Sequence, residues 1–284
     1  MIRRALLTGL TLLLLAPAVP AQQATPPATP PATPAAEPGH ERMLAHRAAY
    51  RLTLDGARDG AGVAEAQGLM LFDILDACDA WAARQRFTLI IQDRDGNSIE
   101  TSSEYNTLEA KDGTRLRFSL NQITEGAVTS RVAGTAELTP EGGVARYDEP
   151  TNAEERLPPG TLLPMQHTIR ALAAARSGQR IMVSPLFDGT SEDGAQDTTT
   201  LMAGGWTAPQ PHAQFPLLSE LGSARMRIAF FDRDQAAQGG ASTPSYEVSL
   251  RYYENGVADE LLMDFGDFRV RGELAELTPI PSPC

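Results

Sequence analysis

The sequence is poor in cysteine and in metal-ligand patterns, which limits the chemistry that the protein can perform. It contains 2 cysteines and 4 histidines in 284 residues. Cys78 and Cys284 lie far apart, and the histidines show none of the short spacings that bind zinc. We therefore expect no metal and no cofactor.

A basic surface is lacking as well. The chain has 24 Lys and Arg residues against 36 Asp and Glu residues, a formal net charge of -12 at pH 7. A protein this acidic repels nucleic acid and anionic membrane surfaces. We expect no nucleic-acid partner.

Long hydrophobic segments are also missing. The apolar run at residues 5–16 is shorter than the roughly 20 residues that span a bilayer. Arg3 and Arg4 precede this run, and Val19 and Ala21 follow it at the spacing that signal peptidase accepts. These features predict a secretory signal peptide over residues 1–21, cleaved near Ala21, and a soluble exported protein with no membrane span.

Recognisable catalytic motifs are absent. The chain has no Gly-x-Ser-x-Gly nucleophile elbow, and the Asp-Phe-Gly at residues 264–266 lacks the other kinase motifs. Residues 93–100 resemble a calcium loop with a misplaced glycine, so we interpret them as a hairpin turn. We expect no enzyme; a hydrolase with a Ser-His-Asp triad assembled in space is the less favoured alternative.

The two cysteines favour a disulfide bond, because an oxidising compartment pairs the thiols of exported proteins. Cys78 and Cys284 have no other partners in the chain. The alternative is a reactive or metal-binding pair, for which the close Cys-x-x-Cys spacing is missing.

After the predicted signal peptide, the chain divides into a tether and one large domain. Residues 22–39 repeat Ala-Thr-Pro-Pro and contain no large apolar side chain, so they cannot bury a core. We predict a tether rich in Pro, Ala and Thr over residues 22–45 and a single domain over residues 46–284, which is ample for one core.

Alternating apolar and polar residues predict that this domain is mainly β. Stretches such as AYRLTL, RLRFSLNQ and YEVSLRYYE have the period of two that antiparallel strands require. Asp-Gly at residues 95–96 and 112–113 and Asn-Gly at residues 255–256 separate such stretches, as in tight hairpins. The pattern indicates a meander.

One segment predicts an amphipathic helix. Pro164 opens it, Gly178 follows its end, and Met165, Ile169 and Leu172 share one face. Because this apolar face needs a buried surface, we expect the helix to close one mouth of a barrel-like sheet and to face a cavity.

The stretch PLFDGTSEDG at residues 185–194 is the candidate binding loop. Asp188, Ser191, Glu192 and Asp193 crowd there after a predicted strand. The alternative is a turn in which Asp188 and Ser191 accept hydrogen bonds from their own backbone.

The sequence resembles the EipB family of alphaproteobacterial cell-envelope integrity proteins over residues 46–284. The resemblance rests on HRAAYRLTL, CDAW, LPPGTLLPMQHTIRALAAARSG, SPLFDGTSEDG, YENGVADELLMDFGDFRVRGEL and a terminal cysteine. It implies a periplasmic protein folded as an antiparallel β-spiral or broken barrel of about fourteen strands, similar in outline to the LolA and LolB lipoprotein carriers. It also implies a disulfide between Cys78 and Cys284 and supplies no catalytic residue.

Two functions follow as hypotheses. The first is a non-enzymatic periplasmic protein that supports cell-envelope integrity by binding a lipid, an acyl chain or a peptide inside its spiral. The second is a scaffold whose outer surface docks a periplasmic repeat protein. The sequence leaves both open.

The first prediction concerns processing. Mass spectrometry of the exported protein should find an N-terminus at or near Gln22 and no acyl group, because Gln22 rather than cysteine follows the cleavage site. An intact Met1 in a membrane fraction would contradict the assignment.

Overall fold

A computed structural model describes residues 38–233 and 243–284. The predicted signal peptide and residues 22–37 of the predicted tether lie outside the described residues. The packed chain begins before residue 46, where the sequence analysis placed the domain start. The indole N–H of Trp81 donates a 2.7 Å hydrogen bond to Nδ1 of His40, and both residues are buried.

Fourteen strands and one α-helix form the described part of the chain. The helix α1 spans Pro164–Arg176, and two short 3-10 helices span His40–Arg42 and Pro216–Leu218. The strands before α1 are β1 (His46–Ala57), β2 (Val63–Asp76), β3 (Ala80–Asp93), β4 (Ser98–Ala110), β5 (Arg115–Thr124), β6 (Ala127–Thr139), β7 (Gly142–Glu149) and β8 (Ala153–Leu157). Those after it are β9 (Ile181–Leu186), β10 (Gln196–Thr207), β11 (Ser223–Phe231), β12 (Tyr246–Tyr253), β13 (Ala258–Asp264) and β14 (Phe268–Pro279).

All fourteen strands belong to one antiparallel sheet, in the order β8-β7-β6-β5-β4-β3-β2-β1-β14-β13-β12-β11-β10-β9. The predicted mainly β class with a single amphipathic helix is therefore confirmed. Each half of the chain is a meander, and the two meanders meet where β1 pairs with β14. The edge strands are β8 and β9, which flank α1 in sequence.

Side-chain alternation explains why these segments form strands with one inner face. In β1, Ala48, Tyr50 and Leu52 are buried. On the other face Arg47 and Arg51 are exposed, although Ala49 is buried. Successive side chains of a strand point to opposite faces, so this pattern fixes which face is inside.

The predicted hairpins follow the expected turn chemistry. Gly96 lies between β3 and β4 with φ 88°, and Gly256 lies between β12 and β13 with φ 82°. Backbone angles of this kind favour glycine at those positions.

Two segments fill the interior. Helix α1 contributes Leu172 and three alanines to a large core with β1, β2 and β10–β14. The loop after β9 contributes Phe187 and Ala195 to a second core with β5–β7. Leu162, between β8 and α1, forms a parallel bridge with Leu186 of β9. In the described sheet β8 and β9 do not pair, so the sheet is unclosed.

The C-terminal tail runs from β14 across the start of β1 to the end of β2. The Ile280 N–H donates to the Ala45 carbonyl at 2.8 Å. Cys284 then forms a disulfide with Cys78, with the Cα atoms 5.5 Å apart. The expected pairing is present.

Polar contacts surround this disulfide bond. The Ser282 hydroxyl donates to Asp76 at 3.0 Å. Asp76 also pairs with Lys111, whose ammonium lies 4.6 Å from the centroid of the Trp81 ring. The single lysine of the chain thus helps to order the site to which the tail is attached.

Within residues 38–233 and 243–284, no helix is long and apolar enough to cross a membrane.

We predict that Cys284→Ser lowers the melting temperature. The bond closes a loop with a sequence separation of 206, and loss of such a bond costs about 2–5 kcal/mol. Because 1 kcal/mol corresponds to roughly 2–4 °C for a domain of this size, differential scanning calorimetry should show a drop of at least about 4 °C. Ser282→Ala, which keeps the bond, is the control; equal melting temperatures for Cys284→Ser and the oxidised protein would contradict the prediction.

Candidate functional site

The inner face of the sheet encloses a cavity of about 330 Å³. Side chains from β1–β4, from β11–β13, from α1 and from the loop after β9 all line it. Strands from both meanders therefore face the same space, which requires the sheet to curl on itself.

Most of the lining is apolar. The strands β2 and β11–β13 supply nine large hydrophobic side chains, namely Met70, Phe72, Ile74, Ile228, Phe230, Val248, Leu250, Leu261 and Met263. A concave, mainly apolar surface with a few polar groups is the usual form of a small-molecule site.

The polar groups concentrate on another wall. Five residues form this polar patch: Gln85, Tyr105, Thr107, Glu109 and Asp188. Tyr105, Thr107 and Glu109 alternate along β4 and so point to the same face. Gln85 of β3 is directly opposite Tyr105 in the register.

Glu109 links the polar patch to α1. It is 2% exposed, and its two carboxylate oxygens accept hydrogen bonds from the backbone N–H groups of Met165 and Gln166 at 2.7 and 2.8 Å. These are free donors of the first helical turn, where a negative charge is stabilised by the helix dipole. Burial nevertheless dominates and raises the pKa of Glu109 to about 7.

One part of the candidate binding loop lines the cavity, and another part is exposed to solvent. Asp188 lines the cavity, its carbonyl accepts the Tyr105 hydroxyl, and burial raises the pKa of its carboxyl group. Asp188 Oδ1 also accepts the backbone N–H of Thr190 at 3.0 Å, and the Ser191 hydroxyl accepts the Asp193 N–H at 3.3 Å. The loop therefore contains the backbone-capping turns described as the alternative.

Ser191, Glu192 and Asp193 do not line the cavity, and the side chains of Glu192 and Asp193 are exposed. Of the four candidate loop residues, the structure brings only Asp188 to the polar patch.

The three candidate helix residues do not all line the cavity. Met165 lines the cavity. Ile169 and Leu172 are buried but line a neighbouring depression, formed with residues 38–43. Gly39, with φ 116°, passes so close that an added Cβ would lie 2.7 Å from Ile169 Cγ2.

Two polar residues of α1, His167 and Thr168, line the cavity together with Met165. His167 Nε2 lies 3.2 Å from the hydroxyl of Thr200, and burial lowers the pKa of His167 to about 4.

Sequence reasoning missed Glu109 because apolar side chains usually mark the inner face of a strand. In β4 this pattern is reversed, because the apolar Leu108 is 44% exposed whereas its neighbour Glu109 is buried. The sequence does contain a signal for this reversal. Tyr105, Thr107 and Glu109 are spaced two residues apart and therefore lie on the same face of β4. An aromatic residue on an otherwise polar face indicates that this face lines the interior.

The described residues contain no group of three or more His, Cys, Asp and Glu side chains that could hold a metal ion. The cavity combines a mainly apolar wall with a patch of hydrogen-bonding groups.

We predict a characteristic pH dependence from Glu109. Its carboxyl group ionises near 4.5 when unfolded but near 7 when folded, so between these values the native state binds more protons and its stability falls as pH rises. The unfolding free energy of the protein minus that of Glu109→Gln should fall by roughly 3 kcal/mol across this window, measured by urea titration.

Taking the difference removes the opposing contribution of His167, whose lowered pKa makes stability rise with pH. Parallel curves for the two proteins would contradict the prediction, and Glu104→Gln on the outer face of β4 is the matched control.

The chain is similar to known proteins along most of its length. A family model described as EipB-like matches residues 38–281. The cell envelope integrity protein EipB of Brucella abortus (strain 2308) is 29% identical over 240 residues, covering 83% of this chain and 84% of that protein. The crystal structure of a beta-barrel-like protein of domain of unknown function DUF1849 from Brucella abortus matches with a TM-score of 0.75 and 27% identity, covering 84% of this chain and 99% of that chain.

These matches agree with the resemblance drawn from the sequence motifs and with the unclosed sheet seen in the structure. Since the family model spans nearly the whole described domain, the chain belongs to the EipB-like family.

Proposed function

We propose that the chain is a non-enzymatic periplasmic protein that supports cell-envelope integrity by binding the apolar part of a lipid, acyl chain or peptide inside its spiral sheet. The observation that carries this proposal is the cavity of about 330 Å³ with its mainly apolar lining. Ligand sites typically measure about 300–1,000 Å³, so a single acyl chain suits this space better than a large molecule.

The binding energy comes mainly from the apolar surface of the ligand that leaves water. Each square ångström of apolar surface removed from water contributes about 25 cal/mol. Met70, Leu250 and Met263 are already nearly buried by the sheet itself. A ligand entering this preformed surface therefore needs little ordering of the protein, which favours binding.

The cellular role and location are supported by three observations. The relative from Brucella abortus is named a cell envelope integrity protein. The disulfide between Cys78 and Cys284 suits an oxidising compartment, and the sequence predicts a cleaved signal peptide. Together they favour the periplasm.

The experiment narrows the cavity with a side chain that adds neither charge nor a hydrogen-bonding group. Ala83 lines the cavity, whereas its neighbour Ala82 is on the opposite face of β3, between Leu75 and Leu108. Leu75 and Leu108 are exposed, so a larger side chain at Ala82 has room.

We predict that Ala83→Phe weakens binding of Nile red, an uncharged apolar dye, by at least tenfold, while Ala82→Phe binds like the unaltered protein. Fluorescence titration measures both affinities, and thermal melts check that both variants are folded. Native mass spectrometry of freshly purified protein should also detect a hydrophobic ligand. Equal dye affinity for the two folded variants would show that the cavity is not the binding site.

A further inference from the structure

We propose that the cavity selects an amphiphile whose head group is cationic, or neutral and hydrogen-bonding, and that it rejects an anionic head group. This inference rests on the proposed function, since it names the class of ligand that the same cavity takes. The argument depends on the charges, the unused hydrogen-bonding groups and the helix terminus of the polar patch.

The charges of the lining have one sign. Glu109 and Asp188 are carboxyl groups, and no lysine or arginine is found among the described residues that line the cavity. His46 and His167 also line it, but burial lowers the pKa of both imidazoles and favours their neutral forms. Where Glu109 and Asp188 are ionised, an anionic head group would therefore enter beside two carboxylates without a compensating cation.

The helix N-terminus, the usual anion-binding feature of a fold, is already occupied. Glu109 fills it, with one carboxylate oxygen on the N–H of Met165 and the other on the N–H of Gln166. The positive end of the α1 dipole is thus neutralised from within the chain. A fatty-acid carboxylate would have to displace the Glu109 carboxylate, which is part of the chain, from these two N–H groups.

The polar patch also has hydrogen-bonding groups to spare. Thr107 is 8% exposed and lines the cavity, yet its hydroxyl has no hydrogen-bond partner among the described residues. The Gln85 amide likewise makes no side-chain hydrogen bond within that part of the chain. Both groups face the cavity, where a ligand or water can satisfy them.

The wall offers acceptor oxygens on Asp188, Gln85 and Thr107. The Tyr105 hydroxyl donates to the Asp188 carbonyl. The Asp188 carboxyl group accepts hydrogen bonds at Oδ1 from the backbone N–H and the hydroxyl of Thr190, and Asp188 lines the cavity. An ammonium or hydroxyl head group that donates to Asp188, Gln85 and Thr107 fits this arrangement.

The test compares three ligands with the same dodecyl chain. Dodecylamine carries a cation, dodecyl glucoside is neutral and dodecanoate is an anion. Each displaces Nile red below its micelle concentration at a mildly alkaline pH, where Glu109 is ionised. We expect dodecylamine to bind at least tenfold more tightly than dodecanoate, with the glucoside between them.

Charge-removing variants assign the preference to the patch. Asp188→Asn keeps an oxygen for Thr190 and removes the charge, and Glu109→Gln removes the second carboxylate. Each should reduce the ratio of amine to carboxylate affinity several-fold. Glu104→Gln removes an exposed charge from the outer face of β4 and should leave the ratio unchanged.

Equal affinities for the three ligands, tighter binding of dodecanoate, or a ratio that Asp188→Asn leaves unchanged would overturn the inference while the cavity remains a binding site. Failure of all three ligands to displace the dye would instead overturn the proposed function itself. If Glu109→Gln does not fold, Asp188→Asn alone decides, because its turn keeps its hydrogen bonds.

Discussion

The antiparallel ladder between β1 and β14 is the interaction on which the rest of the structure depends. It joins a meander of β1–β8 to a meander of β9–β14, in a sheet that would otherwise be two separate sheets. Tyr50 faces Leu274 in this ladder, and both side chains are buried. The Tyr50 hydroxyl donates to the Ala258 carbonyl at 2.8 Å, so the same residue also contacts β13.

With the meanders joined at the middle of the sheet, the edge strands β8 and β9 flank the segment that contains α1. Helix α1 packs into the larger core, and the loop after β9 packs Phe187 against Phe118 and Tyr147 in the smaller one. The cavity lies where these two insertions leave the inner faces of β1–β4 and β11–β13 uncovered. Glu109 then connects strand and helix, so the polar patch is at once a wall of the cavity and the N-terminal anchor of α1.

Local features of this fold could be predicted from the sequence because each depends on nearby residues. Pro164 and Gly178 bound α1 as expected, and the glycines at 96 and 256 occupy hairpin turns. The partner of Cys78 followed from there being only one other cysteine.

Features that depend on long-range geometry could not be predicted in this way. Alternation in AYRLTL shows a strand but not that β14 is its partner. The amphipathic pattern of α1 placed Ile169 toward the interior, whereas Ile169 packs on Gly39, because the segment before β1 covers that face. Glu109 and Leu108 reverse the usual pattern of burial, so period-two analysis alone assigns them to the wrong faces.

The pairing of β1 with β14 also sets the order in which the chain can fold. Native contacts between the two ends of the domain carry a large loop-closure entropy, and sheets built on such contacts fold slowly. Until β14 is available, β1 presents an unpaired edge, and an exposed edge is a template for pairing with other chains. The last strand is therefore the element that removes the aggregation-prone edge of the first.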